Sequence, residues 1–497
     1  MVPVKKVVVI GAGVAGLATA IRLAVQGFEV AVYEKNATPG GKLTAFNDNG
    51  FHFDAGPSLF TQPQNIEALF ALANEPIADY FSYKTVPVAC KYFYENGKTV
   101  QAYTNQQMFA SEMEQQLGEP AANVTSYLHN ASKLYQNVAT IFLNFSLHKK
   151  STWLHFRVVK ALRSLKFAYL FKSLGNYNTR FKTEEAQQIF NRFATYNGSN
   201  PYKAPAMLSL IPHLEQTEGA FYPTGGMVSI TNALHKLALK KGVHFHFNTP
   251  VQKIIYTDNQ AKGIVVNNNN IMADVVVSNS DVYFTYKHLI GNHKKAQKVL
   301  KQERSSSALV FYWGINKTYP QLDLHNIFFT KNYQAEFDHI FKLKRLYNDP
   351  TIYINITSKQ EQQQAPNGCE NWFVMINVPA NTHYEPATLI AQAKANILHK
   401  LQTMLGDDVS KHIVVEHTLH PQTIEQNTGS YMGSLYGTSS NSKMAAFLRH
   451  PNFTSAIKNL YCCGGSVHPG GGIPLCLKSA QIVSDLIKSD VKVAAHA

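Results

Sequence analysis

Residues 5–35 read KKVVVIGAGVAGLATAIRLAVQGFEVAVYEK, and the order of residue types in this stretch decides the fold. Residues 5–10 are a β-branched apolar run, which predicts a strand. Residues 14–26 are rich in Ala and Leu and predict a helix that Gly27 stops. Residues 30–34 predict a second strand and complete a βαβ unit. Between the first strand and the helix, Gly11, Gly13 and Gly16 spell G-x-G-x-x-G. The first glycine makes the tight turn, the second lets a pyrophosphate approach the backbone, and the third lets helix and strand pack closely. The helix N-terminus adds partial positive charge. Glu34 closes the second strand, where a carboxylate can accept hydrogen bonds from ribose hydroxyls and disfavours a 2′-phosphate. Ala12, within the glycine turn, and Lys35, beside Glu34, complete the expected nucleotide-binding set of this unit.

Around this unit lies a chain of 497 residues, long enough for two or three interleaved domains with a substantial core. Lys and Arg outnumber Asp and Glu by 46 to 32, a balance of +14, which points to an anionic surface or ligand. Residues 148–182 hold nine Lys and Arg and no acidic residue, so most of the excess is local. Within them Leu154, Val158, Leu162, Leu165 and Tyr169 recur at helical spacing, while Arg157, Lys160, Arg163 and Lys166 fall mostly between. That is the pattern of a basic amphipathic helix able to lie among anionic headgroups, and a membrane surface is the expected partner. No recognition module accompanies the charge, so nucleic acid is not expected. The five cysteines are scattered without a C-x-x-C pair, which argues against a disulfide framework or a metal site. No run of about 18 apolar residues is present. The expectation is a cytoplasmic protein, peripherally attached to the inner membrane.

Further segments extend the nucleotide unit. Pro39, Gly40, Gly41, Lys42 and Leu43 follow the acidic strand, and residues 50–57, GFHFDAGP, follow those; residues 51–58 have the composition of loop and turn. Residues 108–147 read as helical, and residues 308–341 and 351–377 as the sheet of a substrate domain. Residues 221–227, FYPTGGM, precede a helix over 229–240 and strands over 243–247, 263–266 and 272–278. In this order the segments resemble the flavoprotein superfamily of amine oxidases, protoporphyrinogen oxidases and carotenoid desaturases. The resemblance implies non-covalent FAD, with Gly41, Lys42 and Leu43 along the diphosphate and flavin, and Gly56, Pro57 and Ser58 close to the ring. It also implies that the Val251 backbone holds adenine, and that Asn279 and Asp281, at the end of ADVVVSNSD, return the chain to the cofactor.

Residues 459–475, NLYCCGGSVHPGGGIPL, give a strand, a glycine turn and a helix start, with Pro474 suited to a first helical turn. Gly465, Gly472, Ile473 and Pro474 are the expected flavin contacts here. A flavin over this helix start would have its reduced pyrimidine ring stabilised by free N–H groups. The wording of residues 464–474 is similar to that of bacterial carotenoid desaturases, closest to the hydroxycarotenoid 3,4-desaturase branch. The fold that the resemblance implies is α/β, a Rossmann-type FAD-binding domain of glutathione-reductase type interleaved with a mixed-sheet substrate domain and a helical membrane-associating region. Residues 1–85, 220–290 and 415–497 are assigned to FAD, residues 86–140 and 291–414 to substrate, and residues 141–219 to membrane docking.

The activity it implies is insertion of a C3,C4 double bond into an acyclic 1-hydroxycarotenoid end by hydride transfer to the flavin. A polyene delocalises the cation left by hydride loss, so the protein must chiefly orient an apolar substrate. No second G-x-G-x-x-G is present to house a nicotinamide cofactor, which leaves a quinone, oxygen or another acceptor for the electrons. His468 is the candidate acid or base, ahead of His52, Glu215 and Tyr222. A phytoene or carotene desaturase, a flavin-dependent polyene isomerase and an amine oxidase remain as alternatives.

Overall fold

The computed structural model describes residues 5–153, 167–381, 383–442 and 449–494. Strand β1 (Lys6–Ile10), helix α1 (Val14–Val25) and strand β2 (Glu29–Tyr33) form the expected parallel unit. Strands Val275–Ser278 and Leu460–Cys462 extend the sheet beyond β1, and His244–His246 extends it beyond β2, all in parallel. Val7 to Ile10 are buried without alternation because both faces of the sheet are covered. Val7 and Val9 pack with α1 and with the helices Val228–Lys240 and Ile473–Ala494, whereas Val8 and Ile10 pack with Ile254 and Ile264 of a three-stranded antiparallel sheet. The result is a three-layer unit of helices, parallel sheet and antiparallel sheet.

A second, seven-stranded sheet has the order Ile413–Leu419, Ser307–Ile315, Glu370–Val378, Ile352–Ile356, His325–Phe328, Val88–Phe93, Thr99–Tyr103. Its pairings are antiparallel except that between His325–Phe328 and Val88–Phe93. One face carries Leu309, Phe311, Trp313, Val374 and Ile354 into an aromatic and aliphatic core under the helix Pro386–Leu405. The alternate residues face the other way, toward the nucleotide unit.

Three local expectations need correction. Residues 51–55 are a strand, paired with Thr44–Asp48, because Phe51 and Phe53 alternate into a core shared with Ala308, Val310 and Tyr312. Residues 108–147 are two helices, Gln106–Leu117 and Ala121–Asn144, since Gly118 takes the left-handed conformation at φ 72° and Pro120 follows. Residues 272–278 divide between two sheets: Met272 ends Asn269–Met272, and the parallel strand starts at Val275. Most of the basic amphipathic stretch, residues 154–166, lies outside the described residues. Among the described residues no helix is long and apolar enough to cross a membrane.

Candidate functional site

The C-terminal ends of β1 and β2 open into a cavity of about 850 Å³ that runs from the parallel sheet to the seven-stranded sheet. At the parallel-sheet end it is lined by Gly11, Gly13, Glu34, Lys35 and Val251. Glu34 is buried, and its carboxylate accepts the Ala12 N–H at 2.8 Å and the Asn36 N–H at 2.9 Å, which locks the glycine turn to the second strand. Ala12 and Gly16 themselves lie behind the lining. A Cβ on Gly16 would stand 2.1 Å from the Gly11 carbonyl oxygen, and the Asn279 amide fills the space beside the turn.

Farther in, Gly41, Lys42, Leu43, Gly56, Pro57 and Ser58 line one wall. A Cβ on Gly56 would stand 1.9 Å from the Lys42 carbonyl oxygen, so the two segments touch backbone to backbone. Gly465, Gly472, Ile473 and Pro474 line the opposite wall at the start of the helix Ile473–Ala494. Asn279 and Asp281 close the gap between them. Cations gather here. Lys42 Nζ donates to the Leu435 carbonyl at 2.7 Å, and burial lowers this ammonium to about 8. Arg304 pairs with Asp281. Arg449, 2 % exposed, donates from Nη1 to the Tyr436 carbonyl at 2.7 Å, and its burial lowers the guanidinium to about 10.

His468 lies outside the lining. Its ring is fully buried, Nε2 donates to the Phe145 carbonyl at 3.0 Å, and burial lowers it to about 4. His52 and Tyr222 are also absent from the lining: His52 Nδ1 bonds Asn47 at 2.8 Å, and the Tyr222 hydroxyl donates to Glu361 at 3.0 Å. Glu215 does reach the cavity, clamped by Arg192 Nη2 at 3.0 and 2.7 Å and by the Tyr196 hydroxyl. Burial pushes the Glu215 carboxyl up, and the Arg192 charge opposes it.

The far wall is the seven-stranded sheet, and sequence reasoning did not find its residues. Strand register aligns Val310, Met375, Tyr353 and Ile327 in one row and Tyr312, Phe373, Asn355 and His325 in the next. Seven of these eight line the cavity, all but Asn355. The signal in the sequence was strand alternation, which marks a face without saying what the face meets.

The comparisons with known proteins agree with this geometry. The signature of the family described as flavin containing amine oxidoreductase matches residues 14–488. The chain belongs to that family. Within it, the chain is 49% identical over 97% of its length to a 1-hydroxycarotenoid 3,4-desaturase of Flavobacterium sp., covering 99% of that protein. It is 34% identical over 98% of its length to a 4,4'-diapolycopene oxygenase of Methylomonas sp, again covering 99%. An oxidoreductase from Methanosarcina mazei shares the fold at a TM-score of 0.64 and 16% identity, with 97% of this chain and 100% of that one aligned. The α/β flavoenzyme fold expected from the sequence therefore stands, and with it FAD as the cofactor of this oxidoreductase. Gly16 and Gly56, which leave no room for side chains, the fixed Glu34 carboxylate and the cations around Lys42 suit a long anionic dinucleotide.

Proposed function

We propose that the protein is an FAD-dependent 1-hydroxycarotenoid 3,4-desaturase. Carrying this reading is the 49% identity to a relative of that name, which extends over 97% of the chain and so includes every wall of the cavity. On this reading FAD lies along Gly11, Glu34 and Val251 at one end and Gly41 to Leu43, Gly56 to Ser58, Gly465 and Gly472 to Pro474 at the other. When bound, FAD supplies the acceptor for a hydride from the allylic carbon. The chain does the rest by placement. The helix start at Ile473, with Lys42 and Arg449 nearby, provides positive potential for the charge that develops on reduction. The row of Val310, Met375, Tyr353 and Ile327 gives an apolar floor on which a polyene can lie. His468, buried behind the turn, acts as a strut between residues 464–474 and Phe145 rather than as an acid or base.

The two electrons pass on to a quinone, oxygen or another acceptor. Residues 1–85, 220–290 and 415–497 serve FAD, residues 86–140 and 291–414 the substrate, and residues 141–219 a membrane surface from which the carotenoid enters. Trp153 and Phe171, each 50% exposed on either side of residues 154–166, support the last assignment. The test is expression of this chain in cells given either phytoene or an acyclic 1-hydroxycarotenoid, with pigments read by mass and absorption. Loss of two hydrogens with a red shift from the hydroxylated pigment alone is the expected result. Desaturation of phytoene, or a gain of oxygen by either pigment, would replace the reading.

A further inference from the structure

Glu34, Lys35, Lys42 and Asp281 bring charge to the segments expected along the dinucleotide, whereas two further charged residues of the cavity lining, Arg192 and Glu215, stand apart from those segments. Arg192 opens the helical turn Arg192–Asn197. Its Nε donates to the Tyr92 hydroxyl at 2.8 Å. Strand register continues the apolar row Val310, Met375, Tyr353, Ile327 to Tyr92, so the guanidinium is anchored at the end of the cavity floor. Nη2 donates to both Glu215 oxygens, at 3.0 and 2.7 Å, and the Tyr196 hydroxyl bonds the same carboxylate. Nε and Nη2 are thereby spent. Nη1 makes no hydrogen bond among the described residues, yet it stays accessible in a side chain that is 9% exposed and lines the cavity. His325 Nε2 and the Tyr312 hydroxyl also lack partners, but both atoms are enclosed and cannot meet a ligand.

A guanidinium keeps its charge throughout the working range of an enzyme, and taking it out of water with a carboxylate is costly. A wall that met only hydrocarbon would be served as well by apolar side chains of similar volume. The pair gains its use when a ligand brings an oxygen to the open N–H groups of Nη1. Its position suits such a ligand. In a carotenoid hydroxylated at C1 the oxygen is only a few bonds from C3 and C4, so a group that grips it must stand near the flavin. Tyr353, two strands from Tyr92 in the same row, bonds Ser58 Oγ at 2.7 Å in the segment expected at the flavin ring. The Arg192 charge also acts on His325, which bonds that same Tyr353 hydroxyl. We propose that Arg192 donates from Nη1 to the hydroxyl oxygen at the acyclic end of the substrate and is a specificity-determining residue, with Glu215 and Tyr92 as the residues that position it. This rests on the desaturase reading above, and it adds how the enzyme tells a hydroxylated end from a hydrocarbon one.

The experiment compares FAD-loaded wild type, Arg192→Lys and the double variant Arg192→Met, Glu215→Leu on two acyclic carotenoids that differ only in the C1 hydroxyl. Both kcat/KM and Kd are measured, the latter by quenching of flavin fluorescence, and each protein is scored by the ratio of the two pigments. Wild type should prefer the hydroxylated pigment by roughly tenfold to a hundredfold. Arg192→Lys keeps a cation for Glu215 but has no second nitrogen to offer, so it should lose most of that preference. The double variant, which leaves no charge unpaired, should show a ratio within about twofold of one, with the hydrocarbon bound as tightly as by wild type or more so. Flavin content and melting temperature show which variant is folded, and the double variant serves if Arg192→Lys does not hold FAD. No preference in wild type, or a preference that survives in the folded variants because both pigments lose equally, would overturn the assignment. If wild type oxidises neither pigment, the desaturase reading fails, and the ratio of the two Kd values still decides whether Arg192 reads the hydroxyl.

Discussion

Gly16 has no space for a methyl group, because the atom it would meet is the Gly11 carbonyl oxygen of its own turn. Gly16→Ala must push helix α1 away from the turn, at a cost of about 1–3 kcal/mol for an overpacked site. It should also lower FAD affinity by more than tenfold, read as loss of visible flavin absorbance after purification, while the far-ultraviolet circular dichroism is retained. Full flavin occupancy in that variant would show that the close approach is not needed for binding. The glycine turn and Glu34 were legible in the sequence because their contacts lie within that turn and the next strand. Glu34 is the clearest case, since its carboxylate bonds a backbone N–H in the turn it follows. His325 and Arg192 were not legible. Neither belongs to a local motif, and each is positioned by residues as distant in sequence as Tyr353 and Glu215.

The short helix Tyr333–Asp338 shows how an element can be held by one buried carboxyl side chain. Asn332 caps it by accepting the Ala335 N–H at 2.9 Å, and Tyr333 at its start lines the cavity. Glu336, 1% exposed, accepts the Thr351 N–H at 3.0 Å and the Thr351 hydroxyl at 2.6 Å, which ties the helix to the strand Ile352–Ile356. Burial raises its pKa from 4.5 to about 7, with the Thr351 bonds and Lys400 opposing. The sign follows from proton binding: the folded state holds the proton more tightly than the unfolded state. Its contribution is therefore full below pH 4.5 and is lost as pH rises to about 7. At about 1.4 kcal/mol per pH unit, the loss is on the order of 3 kcal/mol. Glu336→Gln should remove that slope, so the stability of the variant relative to wild type rises between these pH values in urea unfolding. A constant difference would mean that Glu336 is ionised throughout.

Over the whole molecule, charge is as unevenly distributed as the glycines are. Nine cations without an acid in residues 148–182 stand against a chain total of +14. Each Lys or Arg near an anionic membrane surface is worth about 1 kcal/mol. Replacing Arg157, Lys160, Arg163 and Lys166 together by Gln should weaken co-sedimentation with phosphatidylserine vesicles by more than a hundredfold, and high salt should do the same to wild type. Unchanged binding would separate this stretch from the membrane. By itself the sequence determined the βαβ unit with its glycine turn and the order of the segments that line the cavity, because a glycine turn, an acidic strand end and a helix start each act through backbone geometry over a few residues. Tertiary structure decided what those segments face. The strands His325–Phe328, Ile352–Ile356, Glu370–Val378 and Ser307–Ile315 each show only alternation in sequence. Their register places Tyr312, Phe373 and His325 on one face of the sheet, and packing against the parallel unit turns that face into the floor of the cavity. Register between strands separated by loops depends on hydrogen bonds and burial that form only when the sheet assembles, so no local pattern encodes it.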